Sequence, residues 1–179
     1  MKTEAHNSTL IPVIKGKDGL SLIEMLIVIA IISLLIGIAS LQFSKWNTKY
    51  NIEGQTKEMY SDLMEARANA MSRNRDHIFR MIDATRYQTL ADLNGDGDYD
   101  DTVNNIAETG AIKTLKNAIQ WNSAAPANSD VTFNSRGLAT TAGTINVATN
   151  TAGAVYDCIV ISWTRINMGL MSGGSCAQK

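Results

Sequence analysis

Proline is almost missing from this chain: there are two in 179 residues. Long unbroken helices are therefore permitted. Cysteine is equally scarce, with two, which excludes a disulfide framework and a four-cysteine zinc site. Charged residues make up 18%, below the usual share of about a quarter. They are also balanced, 16 Lys and Arg against 17 Asp and Glu. A chain that is 45% hydrophobic with so little charge is not a disordered polyelectrolyte. Without a basic excess it lacks the electrostatic footprint of a dedicated nucleic-acid binder. Enzyme signatures are missing too. There is no paired-His metal motif, no Gly-x-Ser-x-Gly and no phosphate loop. Beyond residue 19 the only histidine is His77, which reads as a surface or packing residue near a helix-to-strand connection. Catalysis is not expected.

What is present is concentrated at one end. From Met25 to Ser44 there are 20 residues without a charge, mostly Leu, Ile, Val and Ala. A bilayer is spanned by about 20 apolar residues at about 1.5 Å of rise each. A buried core helix of this purity does not suit so small a chain. A cleaved secretory signal is the other alternative, since Lys15 and Lys17 precede the run. Its apolar region would be about 7–15 residues and would end at a small-residue cleavage site. This run is longer, and Ile38-Ala39-Ser40-Leu41-Gln42 is a poor match for such an end. Glu24 stands at the head of the run, where a carboxylate is costly unless it reaches the interface or finds a cationic partner.

Lys15-Gly16-Lys17-Asp18-Gly19 followed by Leu20-Ser21-Leu22-Ile23-Glu24-Met25 resembles the leader junction of type IV pilins and pseudopilins. The resemblance implies cleavage by prepilin peptidase between Gly19 and Leu20 and N-methylation of Leu20. Glu24 is then the fifth mature residue, as that family requires. Leu20 departs from the usual Phe at the first mature position. The family's plan gives Glu24 a partner: the new N-terminal amine of a neighbouring subunit, a contact that sets axial register. A buried carboxylate without such a partner would be prohibitive. Lys15 and Lys17 would hold the leader in the cytoplasm.

Past the apolar run, Ile52, Thr56, Met59, Leu63, Ala66 and Ala70 recur at steps of four and three, an amphipathic stripe. Lys57, Glu58, Asp62, Arg67 and Arg73 fall off it, and Asp62 and Glu65 lie near Lys and Arg residues at helical spacing, which gives the helix modest support. The pattern predicts one helix from about Leu20 to Arg73. After it come short strands: Ile78–Ile82, Tyr87–Leu90, Ile112–Leu115, Ala118–Trp121, Val131–Phe133, Thr144–Val147 and Cys158–Trp163. The expected fold is α+β, a long N-terminal helix with a membrane-spanning first half, packed on small antiparallel sheets. The expected segments are a cytoplasmic leader at 1–19, a membrane and filament-core helix at 20–44, its amphipathic half at 45–75 and a β-rich domain at 76–179.

Two later stretches resemble minor pilins and pseudopilins of the GspH/FimT type. They are the acidic loop Ala91–Asp98 and the Phe-Asn-x-x-Gly turn Phe133-Asn134-Ser135-Arg136-Gly137. Some members carry an Arg-rich tail turn linked to DNA uptake. The corresponding Thr164–Gly169 segment has a single Arg, and from Asp76 onward the net charge is −3. DNA is therefore not an expected partner, leaving only a local patch around Arg136 and Arg165. In the acidic loop, Asp92, Asn94, Asp96, Asp98 and Asp100 alternate with Gly97 at the sixth place, as in a calcium loop. The twelfth place holds Val103 instead of a bidentate acid. A solvated turn is the other reading, because Asp, Asn and Gly favour turns. Cys158 and Cys176 are expected to be bridged if the domain lies outside the cytoplasm, tethering a tail that Met171–Ser175 makes loose.

The family resemblance implies other pilins or pseudopilins, an inner-membrane assembly platform and membrane lipid as partners. It leaves three uses open. The first expectation is a minor pilin initiating a type IV pilus, near its tip. The alternatives are a minor pseudopilin of type II secretion and a DNA-uptake pilin. The implied location is the bacterial inner membrane, with the N-terminus cytoplasmic and the domain periplasmic, and then the filament.

Overall fold

The computed structural model describes residues 19, 21–97, 99, 102–103, 106–107, 110–122, 130–148, 150 and 152–179. One helix, α1 (Leu22–Arg73), occupies nearly a third of the chain. Its first bond is donated by Met25 N–H to the Ser21 carbonyl at 3.2 Å. Leu, Ile, Ala, Met and Lys are good helix formers, and no proline interrupts them. Glu24 in the first turn and Arg73 in the last complement the helix dipole. The helix stops at Asn74, whose φ of +52° is the left-handed conformation that ends helices. Arg75 N–H then reaches back to the Ala70 carbonyl at 3.2 Å, closing a Schellman-type cap.

The chain divides into two compact units, Met1–Leu41 and Gln42–Lys179. In the first, α1 is apolar on every side. Leu22, Ile23, Leu26, Ile29, Leu34 and Ile36 are all more than half exposed. Among the described residues this is the one helix long and apolar enough to cross a membrane. Ser33 Oγ donates to the Ile29 carbonyl at 2.7 Å, so this hydroxyl in the run is satisfied within the helix.

The second unit carries the strands, and every pairing in it is antiparallel. They are β1 (His77–Asp83), β2 (Arg86–Ala91), β3 (Thr102–Val103), β4 (Ile106–Ala107), β5 (Lys113–Thr114) and β6 (Ile119–Asn122). β7 (Asp130–Phe133), β8 (Gly143–Val147), β9 (Cys158–Ile161), β10 (Ile166–Ser172) and β11 (Ser175–Gln178) follow. One sheet has the order β5-β2-β1-β7, a second β11-β10-β9-β8-β6, and β3 pairs with β4 alone. The seven expected strand segments are all found, within a residue or two at most ends. His77 pairs with both Ala91 and Phe133, so it opens β1 and does not sit in a connection.

The predicted stripe is the buried face of α1. Ile52, Thr56, Met59, Leu63, Ala66 and Ala70 are each at most 2% exposed. They meet Phe79, Tyr87, Val131 and Phe133 from the first sheet and Ile145, Ile159 and Ile161 from the second. Phe79 and Tyr87 stack with ring centroids 4.7 Å apart. Buried side chains of this size each contribute about 1.5–3 kcal/mol by leaving water.

One expectation is corrected. The tail is not loose: Ile166–Ser172 and Ser175–Gln178 form a hairpin with Ser172 opposite Ser175. Gly173 and Gly174, with φ of +58° and +85°, make the two-residue turn between them. Both central residues of such a turn need positive φ, which glycine supplies without strain. Asp62, although it falls off the stripe, is 9% exposed and bonds to the first sheet.

Candidate functional site

Three places could carry function: the N-terminal junction, the polar seam between α1 and the sheets, and the turns that line the domain's surface.

At the junction Gly19 is exposed with open space around it, and Leu20, the expected first mature residue, lies outside the described residues. Glu24 is exposed in the first turn of α1, ahead of the apolar segment. The chain therefore presents a membrane-length apolar helix headed by a carboxylate. That combination suits burial among like helices only if a cation meets the carboxylate.

The seam fixes the amphipathic half of α1 to the domain. Tyr87 Oη donates to Asp62 Oδ2 at 2.6 Å, and Lys113 Nζ donates to Asp62 Oδ2 at 2.8 Å and to Glu58 Oε1 at 3.4 Å. Burial, then the Asp62 carboxylate, pushes the Tyr87 hydroxyl well above its ordinary pKa. The hydrogen bond to Asp62 raises the Lys113 ammonium, against partial desolvation. One turn earlier, Gln55 grips a backbone: its Nε2 donates to the Asn117 carbonyl and its Oε1 accepts from Asn117 N–H, both at 2.9 Å. Glu53 Oε1 accepts from Val155 N–H at 2.8 Å, and Lys57 Nζ lies 5.6 Å from the Tyr156 ring centroid. Sequence reasoning missed this seam because polar helix residues read as solvated until their sheet partners are known.

His77 is 6% exposed, and its Nε2 is buried without a hydrogen-bond partner. Burial lowers its pKa, helped by the Arg73 charge and opposed by Asp76. Of the two readings of this residue, packing is the one found.

The Phe-Asn-x-x-Gly turn has a clear physical basis. Asn134 Oδ1 accepts from Arg136 N–H and Leu138 N–H, both at 3.0 Å. Gly137 has φ of +72°, and a Cβ there would stand 2.6 Å from Met71 Sδ on α1. The turn thus needs glycine's φ, and any side chain there would also have to push the Met71 thioether aside. The neighbouring Ser162–Arg165 turn joins it through Ala139 N–H to the Trp163 carbonyl at 3.0 Å. Arg136, Trp163 and Arg165 are all exposed on these adjoining turns.

In the acidic loop Asp92 is 6% exposed. Its carboxylate accepts from Gly95 N–H and, at 3.2 Å, from Gly97 N–H. Asn94 Nδ2 donates to Asp96 Oδ2 at 2.7 Å. Asp98 and Asp100 lie outside the described residues. Among the described residues no cluster of three His, Cys, Asp or Glu could hold a metal ion.

Cys158 and Cys176 form a disulfide with Cα atoms 6.1 Å apart. They belong to β9 and β11, which lie on either side of β10. The bridge passes over Gly169: a Cβ there would lie 2.3 Å from the Ala177 carbonyl and 2.9 Å from Cys176 Sγ. Beside it, buried Asp157 accepts from Met171 N–H at 2.7 Å and from Asn150 Nδ2 at 2.6 Å.

Comparison with known proteins matches both ends of this description. Residues 14–40 match the prokaryotic N-terminal methylation motif, and residues 55–165 match the family of the type II transport protein GspH. Two solved structures of the minor pseudopilin EpsH from the type II secretion system of Vibrio cholerae share the fold, each with a TM-score of 0.50. One is 16% identical and covers 66% of this chain and 95% of its own. The other is 15% identical and covers 68% and 94%. No match is found among curated proteins compared by sequence. The family is one of filament subunits and not of enzymes. With a methylation motif at its head and the family model spanning most of α1's buried half and the strands from β1 to β9, the chain belongs to the GspH family of pilin-like pseudopilins.

Proposed function

We propose that the protein is a minor pseudopilin of a type II secretion machine, cut by prepilin peptidase after Gly19 and methylated on Leu20. The observation that carries this is the division of labour along α1. Its first half is apolar on all sides and exposed, and its second half is locked to the domain by a buried stripe and a polar seam. Cleavage frees an amine on Leu20, four residues before Glu24. In a filament the apolar helices leave lipid and pack together. The Glu24 carboxylate of one subunit then meets the amine of the next, so that neither charge is buried alone. The domain's role is contact with neighbours and cargo. The inner membrane, with the domain on its periplasmic side, is the location this reading requires, and the disulfide supports an oxidising compartment.

This order reverses the one read from the sequence, which put a surface pilus first. The family matched is described by type II transport, and that description favours secretion. The third reading, DNA uptake, is opposed by the net charge of −3 from Asp76 onward.

Co-expression with a prepilin peptidase tests the processing step. The intact mass should fall by residues 1–19 and gain one methyl group. A Gly19→Val chain should keep its full mass. An unchanged mass for the native chain overturns the reading.

Calcium at Asp92, Asn94, Asp96, Asp98 and Asp100 is a separate proposal, supported by their spacing alone. A melting temperature that rises with added calcium, and does not rise in Asp96→Ala, supports it. No rise assigns the loop to turn formation.

A further inference from the structure

From the end of the charge-free run to the first buried residue of the domain, Ile52, α1 carries three aromatic residues. Phe43, Trp46 and Tyr50 follow one another at steps of three and four, so they share one face of the helix. They are 65%, 61% and 66% exposed, whereas Ile52 is fully buried. The rings touch in sequence, with centroids 6.2 Å apart for Phe43–Trp46 and 5.8 Å for Trp46–Tyr50. Lys45 and Lys49 occupy the same two turns, Lys49 on the flank of that face and 4.0 Å from Glu53, Lys45 away from it. The stripe is therefore apolar in body, polar at two of its tips, and accompanied by cations in the same turns.

We infer that this stripe is a lipid headgroup contact, seated in the outer boundary of the membrane before the subunit enters a filament. The inference rests on the membrane reading of α1, and its position along the chain specifies the occupant. The charge-free run ends at Ser44 after 20 residues, about the thickness of the hydrocarbon layer. The next two turns fall at headgroup depth, where Trp and Tyr concentrate because their rings are apolar and their tips want water. Lys side chains at that depth bury their stems and direct the ammonium to phosphate. A stripe of aliphatic residues would instead draw the helix deeper. The rings and the two lysines thus set how far α1 is immersed. Extraction into a filament must lift them out of this layer.

The test places the full chain in phosphatidylethanolamine–phosphatidylglycerol vesicles and reads Trp46 by depth-dependent quenching. Trp121→Phe with Trp163→Phe leaves Trp46 as the one tryptophan. The difference between the native chain and Trp46→Phe gives the same signal if Trp121→Phe disturbs the domain. Nitroxide at the headgroup should quench Trp46 at least about twice as strongly as nitroxide near the acyl-chain end. Stronger quenching from the chain end overturns the depth assignment. Quenching by aqueous iodide with none from either lipid label overturns lipid as the occupant and leaves the face for a neighbouring subunit. Flotation of the vesicles is scored alongside. A chain that does not float with lipid refutes the membrane reading itself, whereas one that floats without lipid quenching of Trp46 refutes this inference alone.

Discussion

The Tyr87 hydroxyl donates to Asp62 Oδ2 at 2.6 Å, inside the interface between α1 and the first sheet. Lys113 reaches the same carboxylate from the adjacent strand at 2.8 Å. The two partners are not equivalent. Tyr87→Phe removes one donor and leaves Asp62 with Lys113, so it should cost about 1 kcal/mol. Asp62→Ala leaves a buried hydroxyl without an acceptor and should cost about 2–3 kcal/mol. Urea denaturation of the detergent-solubilised chain measures both. Equal costs would contradict the placement of Asp62 as the shared acceptor.

The same seam sets the alkaline limit. Tyr87 and Lys113 both bind their protons more tightly folded than unfolded. Their stabilisation is complete below their unfolded values, about 10 and 10.4, and is lost as pH rises beyond them. The urea midpoint should fall above about pH 10, and Tyr87→Phe should make that fall shallower.

His77 acts at the opposite end of the scale. Its folded pKa is lowered, so its contribution is complete above the unfolded value of about 6.5 and is lost as pH falls through the folded one. Acidification from about pH 7.5 to 5 should lower the urea midpoint, and His77→Gln should reduce that dependence. An identical slope in the variant would remove His77 from the account.

Gly137 should be intolerant of any side chain for two separable reasons. Gly137→Ala brings a Cβ against Met71 and places alanine at φ of +72°. The combined cost should be about 2–4 kcal/mol. Adding Met71→Ala should recover the steric part and leave about 1–2 kcal/mol of backbone strain. A double variant no better than Gly137→Ala would place the whole cost in the backbone.

Gly169 is the corresponding position under the disulfide. Gly169→Ala cannot be accommodated between the Ala177 carbonyl and Cys176 Sγ without moving β11. Thiol labelling of the denatured chain should then find free Cys158 and Cys176 where the native protein has none. Replacing both cysteines with Ser should cost about 3 kcal/mol, since the bridge closes a short loop.

The sequence was legible where a single period governs a residue's surroundings. All six residues of the α1 stripe are buried, because a 3.6-residue repeat needs no knowledge of the partner. The strands rich in branched residues, such as Cys158–Ile161, were visible for the same reason. The hairpin Ile166–Gln178 was not, because Asn167, Gly169, Ser172 and the paired glycines depress its strand propensity. Its order comes from pairing with β9 and from the disulfide, both long-range. The one local signal was Gly173-Gly174 as a two-residue turn. The role of Asp62 was not visible because its partners lie 25 and 51 residues away. The N-terminal methylation motif was legible as a local pattern, and a family model matches it over residues 14–40.

The central claim is that this subunit serves a secretion filament through Glu24 and its apolar helix. Its most direct test is a clean deletion in the native host, scored for proteins released to the medium and for sheared surface pili. Loss of secretion with pili intact, restored by the wild-type gene but not by Glu24→Ala, is the predicted result. Normal secretion from the deletion strain would contradict it.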